Sequence, residues 1–198
     1  IINNINIKRV DKKLNFIVDE ESRWDVCSAK MRFEKSYEMQ NKLSGSDAME
    51  IMVKPYQIAE YGDSLYLLSE MNKGQVLSTV DFKNFSQKIW VIYRLAEAMQ
   101  LLHEQGYIYM DIKPKNILWI ESQQIVKLFD VDSIISYKKL DDVHEIYVTE
   151  PYVAPEIKHL EKWFEHKKKD FLRPSWDIYC LGLLLFELVF ERFPTKED

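Results

Sequence analysis

Three residues in one short stretch carry side chains that together could move a phosphoryl group. In Tyr109-Met110-Asp111-Ile112-Lys113-Pro114-Lys115-Asn116-Ile117-Leu118, a tight loop stiffened by Pro114 can present Asp111, Lys113 and Asn116 to one point. Phosphoryl transfer needs a carboxylate to orient a hydroxyl and accept its proton, a cation on the moving phosphate, and oxygen ligands for Mg²⁺. These three residues supply one of each. Fourteen residues beyond Asn116, after the alternating stretch Ile125-Val126-Lys127-Leu128-Phe129, stands Asp130-Val131-Asp132. A carboxylate at the end of such a strand is placed to hold a second side of the metal.

The elements that must position these groups show in the periodicity. Residues 4–10, 14–18 and 23–31 read as strands, residues 33–43 as a short helix, and residues 51–59 and 64–69 as two more strands. Residues 1–72 therefore read as a strand-rich lobe with a five-stranded sheet and one short helix. Residues 71–74 look like a hinge. In residues 73–198 the character turns helical. Residues 85–105 carry an apolar stripe at Ile89, Ile92, Leu95, Ala96, Met99 and Leu102, closed by Gly106. Residues 177–190 are apolar enough to read as a buried helix. The expected class is α+β, with a cleft between two lobes as a place for a ligand.

Bulk properties narrow the partners. A net charge of -5 argues against nucleic acid, whose phosphates favour a basic footprint. No run approaches the roughly 18 apolar residues that span a bilayer, so no membrane partner is expected. Two cysteines, Cys27 and Cys180, make no disulfide framework, and a reducing, cytoplasmic location is the expectation. The chain shows no signal-peptide pattern and starts at Ile1 rather than Met, as a trimmed sequence would.

The segment from Tyr109 to Leu118, with Asp130 after it, resembles the catalytic loop and metal-binding motif of the eukaryotic-like protein kinase family. Other landmarks follow in order. Thr149-Glu150-Pro151-Tyr152-Val153-Ala154-Pro155-Glu156 resembles the end of an activation segment, and Trp176-Asp177-Ile178-Tyr179-Cys180-Leu181-Gly182 the start of the large C-lobe helix. Residues 56–71 resemble strands four and five running into the hinge. The likeness implies a bilobal kinase fold and the use of ATP and Mg²⁺. It makes Asp111 the catalytic base, Lys113 the contact to the transferred phosphate, and Asn116 and Asp130 the metal ligands. Asp177 would brace the catalytic loop from below. Lys30, in Cys27-Ser28-Ala29-Lys30 near the end of the third strand, matches the lysine that anchors ATP, and Glu70 and Met71 fall at the hinge. Glu38 is the chosen ion-pair partner of Lys30, with Glu34 as runner-up, although a gapless match would place Ser36 there. Lys113 together with Thr149 resembles serine/threonine rather than tyrosine kinases.

The departures shape the functional expectation. The first glycine is Gly45, so no glycine-rich phosphate loop precedes Lys30, and Lys12 or Lys13 would have to substitute by charge. Tyr109-Met110 replaces the usual His-Arg, removing the arginine that pairs with an activation-segment phosphate. Activity should then need no such phosphorylation, although Ser133, Ser136, Tyr137 and Tyr147 remain candidate sites. Asp132 replaces the glycine of Asp-Phe-Gly, as a turn cap or a further cation ligand. With the sequence ending at Asp198, Glu156 is expected to lack its usual arginine partner. The connection between Glu156 and Asp177 carries Lys167-Lys168-Lys169 with Trp163, Phe164 and Phe171, read as a solvated face or a docking surface. The chain stops at Asp198, just after the apolar helix. This trimming resembles compact kinases that some bacteria and viruses make to act on a host, which would extend the expectation to an effector with a host-protein substrate in the host cytosol. Three readings compete: an active serine/threonine kinase, a kinase-like binding module, and a kinase-fold enzyme that phosphorylates a small molecule or transfers a nucleotidyl group.

Overall fold

The computed structural model describes residues 5–11, 17–19, 22–24, 26–43, 46–47, 50–61, 64–138, 148–149, 151–155 and 173–195. For residues up to 30, and for 32, 33, 64 and 65, only the backbone is described. Lys12, Lys13, Tyr147, Glu156, Trp163, Phe164, the 167–169 lysine run and Phe171 lie outside the described residues. The chain divides into two compact units, one of residues 1–73 with 130–132, the other of residues 74–129 with 133–198.

In the first unit, β1 (Ile5–Asp11), β4 (Pro55–Tyr61) and β5 (Ser64–Glu70) form an antiparallel sheet in the order β1-β5-β4. Register runs from Ile5 opposite Glu70 to Asp11 opposite Ser64, and an irregularity at Pro55/Gln57 offsets the start of β4. β2 (Ile17–Asp19) and β3 (Ser22–Trp24) pair as a separate hairpin. Among the described residues, the expected five-stranded sheet is thus a three-stranded sheet plus this hairpin.

The third expected strand, residues 23–31, ends at Trp24, because α1 (Val26–Leu43) takes over. Ala29, Lys30, Met31 and Arg32 are strong helix formers that continue without a break into residues 33–43. A helix gains a bond for each residue added once it is nucleated, so the run is 18 residues long rather than short. Ser36, Met39, Gln40 and Leu43 recur at helical spacing and are buried, while Glu34 and Glu38 are exposed. Gln40 Nε2 donates to the Val53 carbonyl at 2.9 Å.

The second unit is built on α2 (Phe85–Glu104) and α3 (Ser175–Phe190). Asn84 caps α2 by accepting from the Gln87 N–H at 3.0 Å, and Gln87 Oε1 accepts in return from the Lys83 N–H. Val91, Leu95, Ala98, Met99 and Leu102 line its buried face; each large apolar side chain there contributes about 1.5–3 kcal/mol. Gly106 ends the helix at φ 89°, a left-handed conformation that glycine adopts without strain. α2 and α3 run antiparallel, tied by Lys88 to Glu191 at one end and His103 to Asp177 at the other. α3 is not wholly buried as its composition suggests: Trp176, Asp177, Cys180, Leu181 and Leu184 are inside, whereas Ile178, Tyr179 and Phe190 are exposed.

Short strands complete this unit. β6 (Gln75–Val76), β8 (Ile117–Ile120) and β9 (Ile125–Leu128) form one antiparallel sheet. β7 (Tyr107–Ile108) pairs with β10 (Ile135–Ser136). The loop between β7 and β8 holds the residues singled out for chemistry.

Candidate active site

The loop begins where β7 ends. Its first two peptide groups, the N–H of Tyr109 and of Met110, donate to Asp177 Oδ2 at 2.8 Å and Oδ1 at 2.9 Å. Asp177 is 0% exposed, and its Oδ2 also meets His103 Nε2 at 2.7 Å. Since a carboxylate only accepts, Nε2 carries the proton of that bond. Three donors thus satisfy a carboxylate that would be costly to bury alone. The brace expected of Asp177 is present. It holds Met110 at φ 74°, a backbone strain of about 1–3 kcal/mol for a non-glycine residue.

The next residue, Asp111, is 7% exposed. Its Oδ2 accepts from Asn116 Nδ2 at 2.8 Å and lies 3.2 Å from Lys113 Nζ. Asn116 Nδ2 also donates to the Asp111 carbonyl at 3.1 Å. A single 3-10 turn, Pro114–Asn116, folds the amide back onto the carboxylate. The structure therefore brings Asp111, Lys113 and Asn116 together. Lys113 Nζ donates onward to Thr149 Oγ1 at 2.7 Å, so the lysine bridges the carboxylate and the activation-segment end. The second oxygen of Asp111, Oδ1, is buried with no hydrogen-bond partner among the described residues.

The segment at Thr149 is anchored from α3, which the sequence did not disclose. The Tyr152 N–H donates to the Thr149 carbonyl at 2.9 Å, closing a turn. The Tyr152 hydroxyl donates to Glu187 Oε2 at 2.6 Å, and its ring meets Phe193 edge-on at 4.9 Å. The Cys180 thiol donates to the Tyr152 carbonyl at 2.9 Å. Burial, with the Asp177 and Asp111 carboxylates adding to it, pushes that thiol up to about 12. Tyr152, Cys180 and Glu187 were missed because nothing in their spacing marks contact between residues 28 to 35 positions apart.

Asp130 has φ 60°, a second strained position, just after Phe129. The Phe129 N–H donates to the Asn116 carbonyl at 3.1 Å, and the Phe129 carbonyl accepts from the Tyr109 hydroxyl at 2.6 Å. Asp132 is buried within a 3-10 turn, Val131–Ser133.

The nucleotide-anchoring pair expected in the first unit is corrected. Lys30 lies on α1, not on a strand, and Glu38 lies on the same helix. Eight residues at 1.5 Å rise separate them by about 12 Å along the axis, beyond the three- and four-residue spacings at which helix side chains meet. Lys30 and Glu38 are therefore not a strand lysine and a helix glutamate on two separate elements. Glu70 ends β5, where its N–H donates to the Lys54 carbonyl at 2.8 Å and its Oε1 accepts from the Lys54 N–H at 3.1 Å. Met71 follows as an exposed residue.

Known proteins resemble this chain in sequence. A family model described as protein kinase domain matches residues 17–198. Serine/threonine-protein kinase ELM1 of Saccharomyces cerevisiae is 31% identical over 134 residues, covering 60% of this chain and 20% of that protein. A probable serine/threonine-protein kinase, PknB, of Lactococcus lactis is 26% identical over 155 residues, 77% of this chain and 22% of that one. A putative serine/threonine-protein kinase of Mycoplasma pneumoniae is 25% identical over 158 residues, 72% of this chain and 40% of its own length. The chain spans less than half the length of each. No helix among the described residues is long and apolar enough to cross a membrane. With a kinase family match over nearly the whole chain and a catalytic loop built as above, this chain belongs to the protein kinase domain family.

Proposed function

We propose that the chain is a catalytic domain transferring the γ-phosphate of ATP to a serine or threonine hydroxyl of a protein. The observation that carries this reading is the divided state of Asp111. Oδ2 is fixed by Asn116 and Lys113, while the buried Oδ1 has no donor among the described residues. A buried acceptor without a donor is unfavourable by about 1–3 kcal/mol, and a substrate hydroxyl is a donor of the right kind. The hydroxyl donates to Oδ1, Asp111 takes its proton as the oxygen attacks phosphorus, and ADP departs. Lys113 holds positive charge beside the reacting oxygens while keeping Thr149 in place. Asn116 commits its amide nitrogen to Asp111, so Oδ1 is the atom it would offer to Mg²⁺, with the Asp130 carboxylate as the other ligand. These are hard oxygen donors that suit the ion, whose charge would offset that of the phosphates. Glu70 and Met71 are the residues proposed to meet the nucleotide in the first unit.

The Lys113–Thr149 bond supports a serine/threonine acceptor, and the burial of Met110 among apolar side chains supports activity without activation-segment phosphorylation. Two observations favour a kinase-like binding module instead: no glycine precedes Gly45, and Lys30 lies on a helix. Labelled ATP with Mg²⁺ and a mixed protein substrate separates the readings. Wild type is expected to transfer label from γ- but not α-labelled ATP, to protein rather than small molecules, and with no loss after phosphatase treatment. Asp111→Ala should lower the rate by about 10²–10⁴-fold with the chain still folded. Nucleotide binding without transfer by wild type would establish the binding module.

A further inference from the structure

Residues 133–137 run beside residues 106–109 as a continuous zipper. Ser133 Oγ donates to the Tyr109 carbonyl at 2.8 Å. Ile135 pairs with Ile108 and Ser136 with Tyr107. The Tyr137 N–H donates to the Gly106 carbonyl at 3.2 Å, and the Tyr137 hydroxyl closes the end by donating to the His103 carbonyl at 2.8 Å. The Tyr137 ring packs on the cluster of Ile108, Met110, Ile135, Val153, Ala154 and Trp176. Met110, which stands where the family usually has its regulatory arginine, thus gives apolar surface to the segment that follows the metal-binding motif.

The hydroxyl bond is not required to satisfy the helix end. The His103 carbonyl already accepts from the Gly106 N–H at 2.9 Å. A second, directional donor there adds placement rather than filling a deficit. His103 is also the residue whose ring meets Asp177, which holds the Tyr109 and Met110 N–H groups. The zipper and the brace therefore both meet His103, one at its carbonyl and the other at its ring.

We infer that Tyr137 is a positioning residue, a latch whose hydroxyl fixes the start of the activation segment against the catalytic loop without a phosphate. It rests on the kinase reading above and describes how that same site is held in order. The zipper ends at Tyr109, one residue before strained Met110 and two before Asp111. Release at its far end lets that backbone relax and moves Asp111 off its place. A displacement of about 1 Å can lower turnover by about 10²-fold, and loss of one anchor among several should give about tenfold.

The test is Tyr137→Phe in the full chain, which keeps the ring and removes the donor. Expected are kcat down about tenfold, KM for ATP and substrate within about twofold, and faster amide exchange at Ile135 and Tyr137 while Leu95 and Leu184 stay protected. Ser136→Ala, which removes only a 3.4 Å contact to the Gly106 carbonyl, should leave kcat unchanged. The latch is overturned if kcat stays within about twofold of wild type, or if protection falls evenly across α2 and α3, as a general loss of stability would produce. Should wild type transfer no phosphate, the kinase reading fails separately. Exchange then decides the latch alone: faster at Ile135 and Tyr137 supports it, unchanged overturns it.

Discussion

The loop bearing Asp111 and the helix bearing Glu38 hold residues of equal chemical promise, but they are built in opposite ways. Around Asp111 the polar groups are buried and committed to named partners: Asp177 to three donors, Asn116 to Asp111, and Lys113 to both Asp111 and Thr149. On α1 the buried positions among the described side chains are Ser36, Met39, Gln40 and Leu43, and the carboxylates of Glu34 and Glu38 face outward. A buried polar group without its partner loses free energy, so such a network has one good arrangement. An exposed carboxylate is solvated wherever it points and fixes nothing. The catalytic loop is therefore specified by its own second unit, whereas α1 is specified by its mixed buried face and not by its carboxylates.

The largest expected effect lies at the root of the buried network. Asp177→Asn keeps the volume but turns an amide NH₂ toward groups that already donate. Whichever way the amide faces, at least one of the Tyr109 and Met110 N–H groups and His103 Nε2 is left opposite a donor. The expected cost is about 3–5 kcal/mol in urea unfolding, as for a broken buried charge network. Phosphoryl transfer should fall by about 10²-fold because Met110 loses the bonds that hold it at positive φ. A change below about 1 kcal/mol with full activity would show that the loop keeps its shape without the brace, and the contrast with α1 would collapse.

How much of this the sequence disclosed follows the same division. That Asp111, Lys113 and Asn116 come together, and that Asp177 braces their loop, was legible because these residues lie in short motifs. α2 was legible from its stripe and Gly106. The first unit was misread where strand and helix compete: Val26, Cys27 and Ser28 lean toward a strand, yet they are captured by the helix formers that follow. The Lys30–Glu38 pairing failed with that boundary, since it required two different elements. The anchors of Thr149 escaped for another reason. Tyr152, Cys180 and Glu187 are ordinary types, and only the fold brings residues so distant in sequence together.

An intermediate effect should appear at Cys180, a buried residue with no part in the proposed transfer step. The folded thiol is pushed from its ordinary value of 9.0 to about 12, mainly by burial. Below pH 9 both folded and unfolded chains hold the proton, so the contribution is fully present. As pH rises from 9 toward 12 the unfolded thiol ionises first, and stability is lost across that window. At pH 8 the thiolate fraction of Cys180 should be on the order of a thousandfold below that of a free cysteine. Alkylation by iodoacetamide, followed by mass spectrometry of the Cys180 peptide, should therefore be slow in the native chain and ordinary in urea. Rapid native labelling would mean that the Tyr152 carbonyl is not held by this thiol, and that the buried region opens as readily as an exposed helix face.

The smallest effect is expected on α1, where the comparison is most easily broken. Glu38→Ala removes an exposed carboxylate from a helix interior and substitutes a better helix former. Stability should change by no more than about 0.5 kcal/mol. The KM for ATP should stay within about twofold, because Glu38 shares one helix with Lys30, eight residues away. A tenfold rise in that KM, at unchanged stability, would make Glu38 a nucleotide-positioning residue after all. An exposed helix face would then be as exacting as the buried loop, acting through a ligand rather than through the fold.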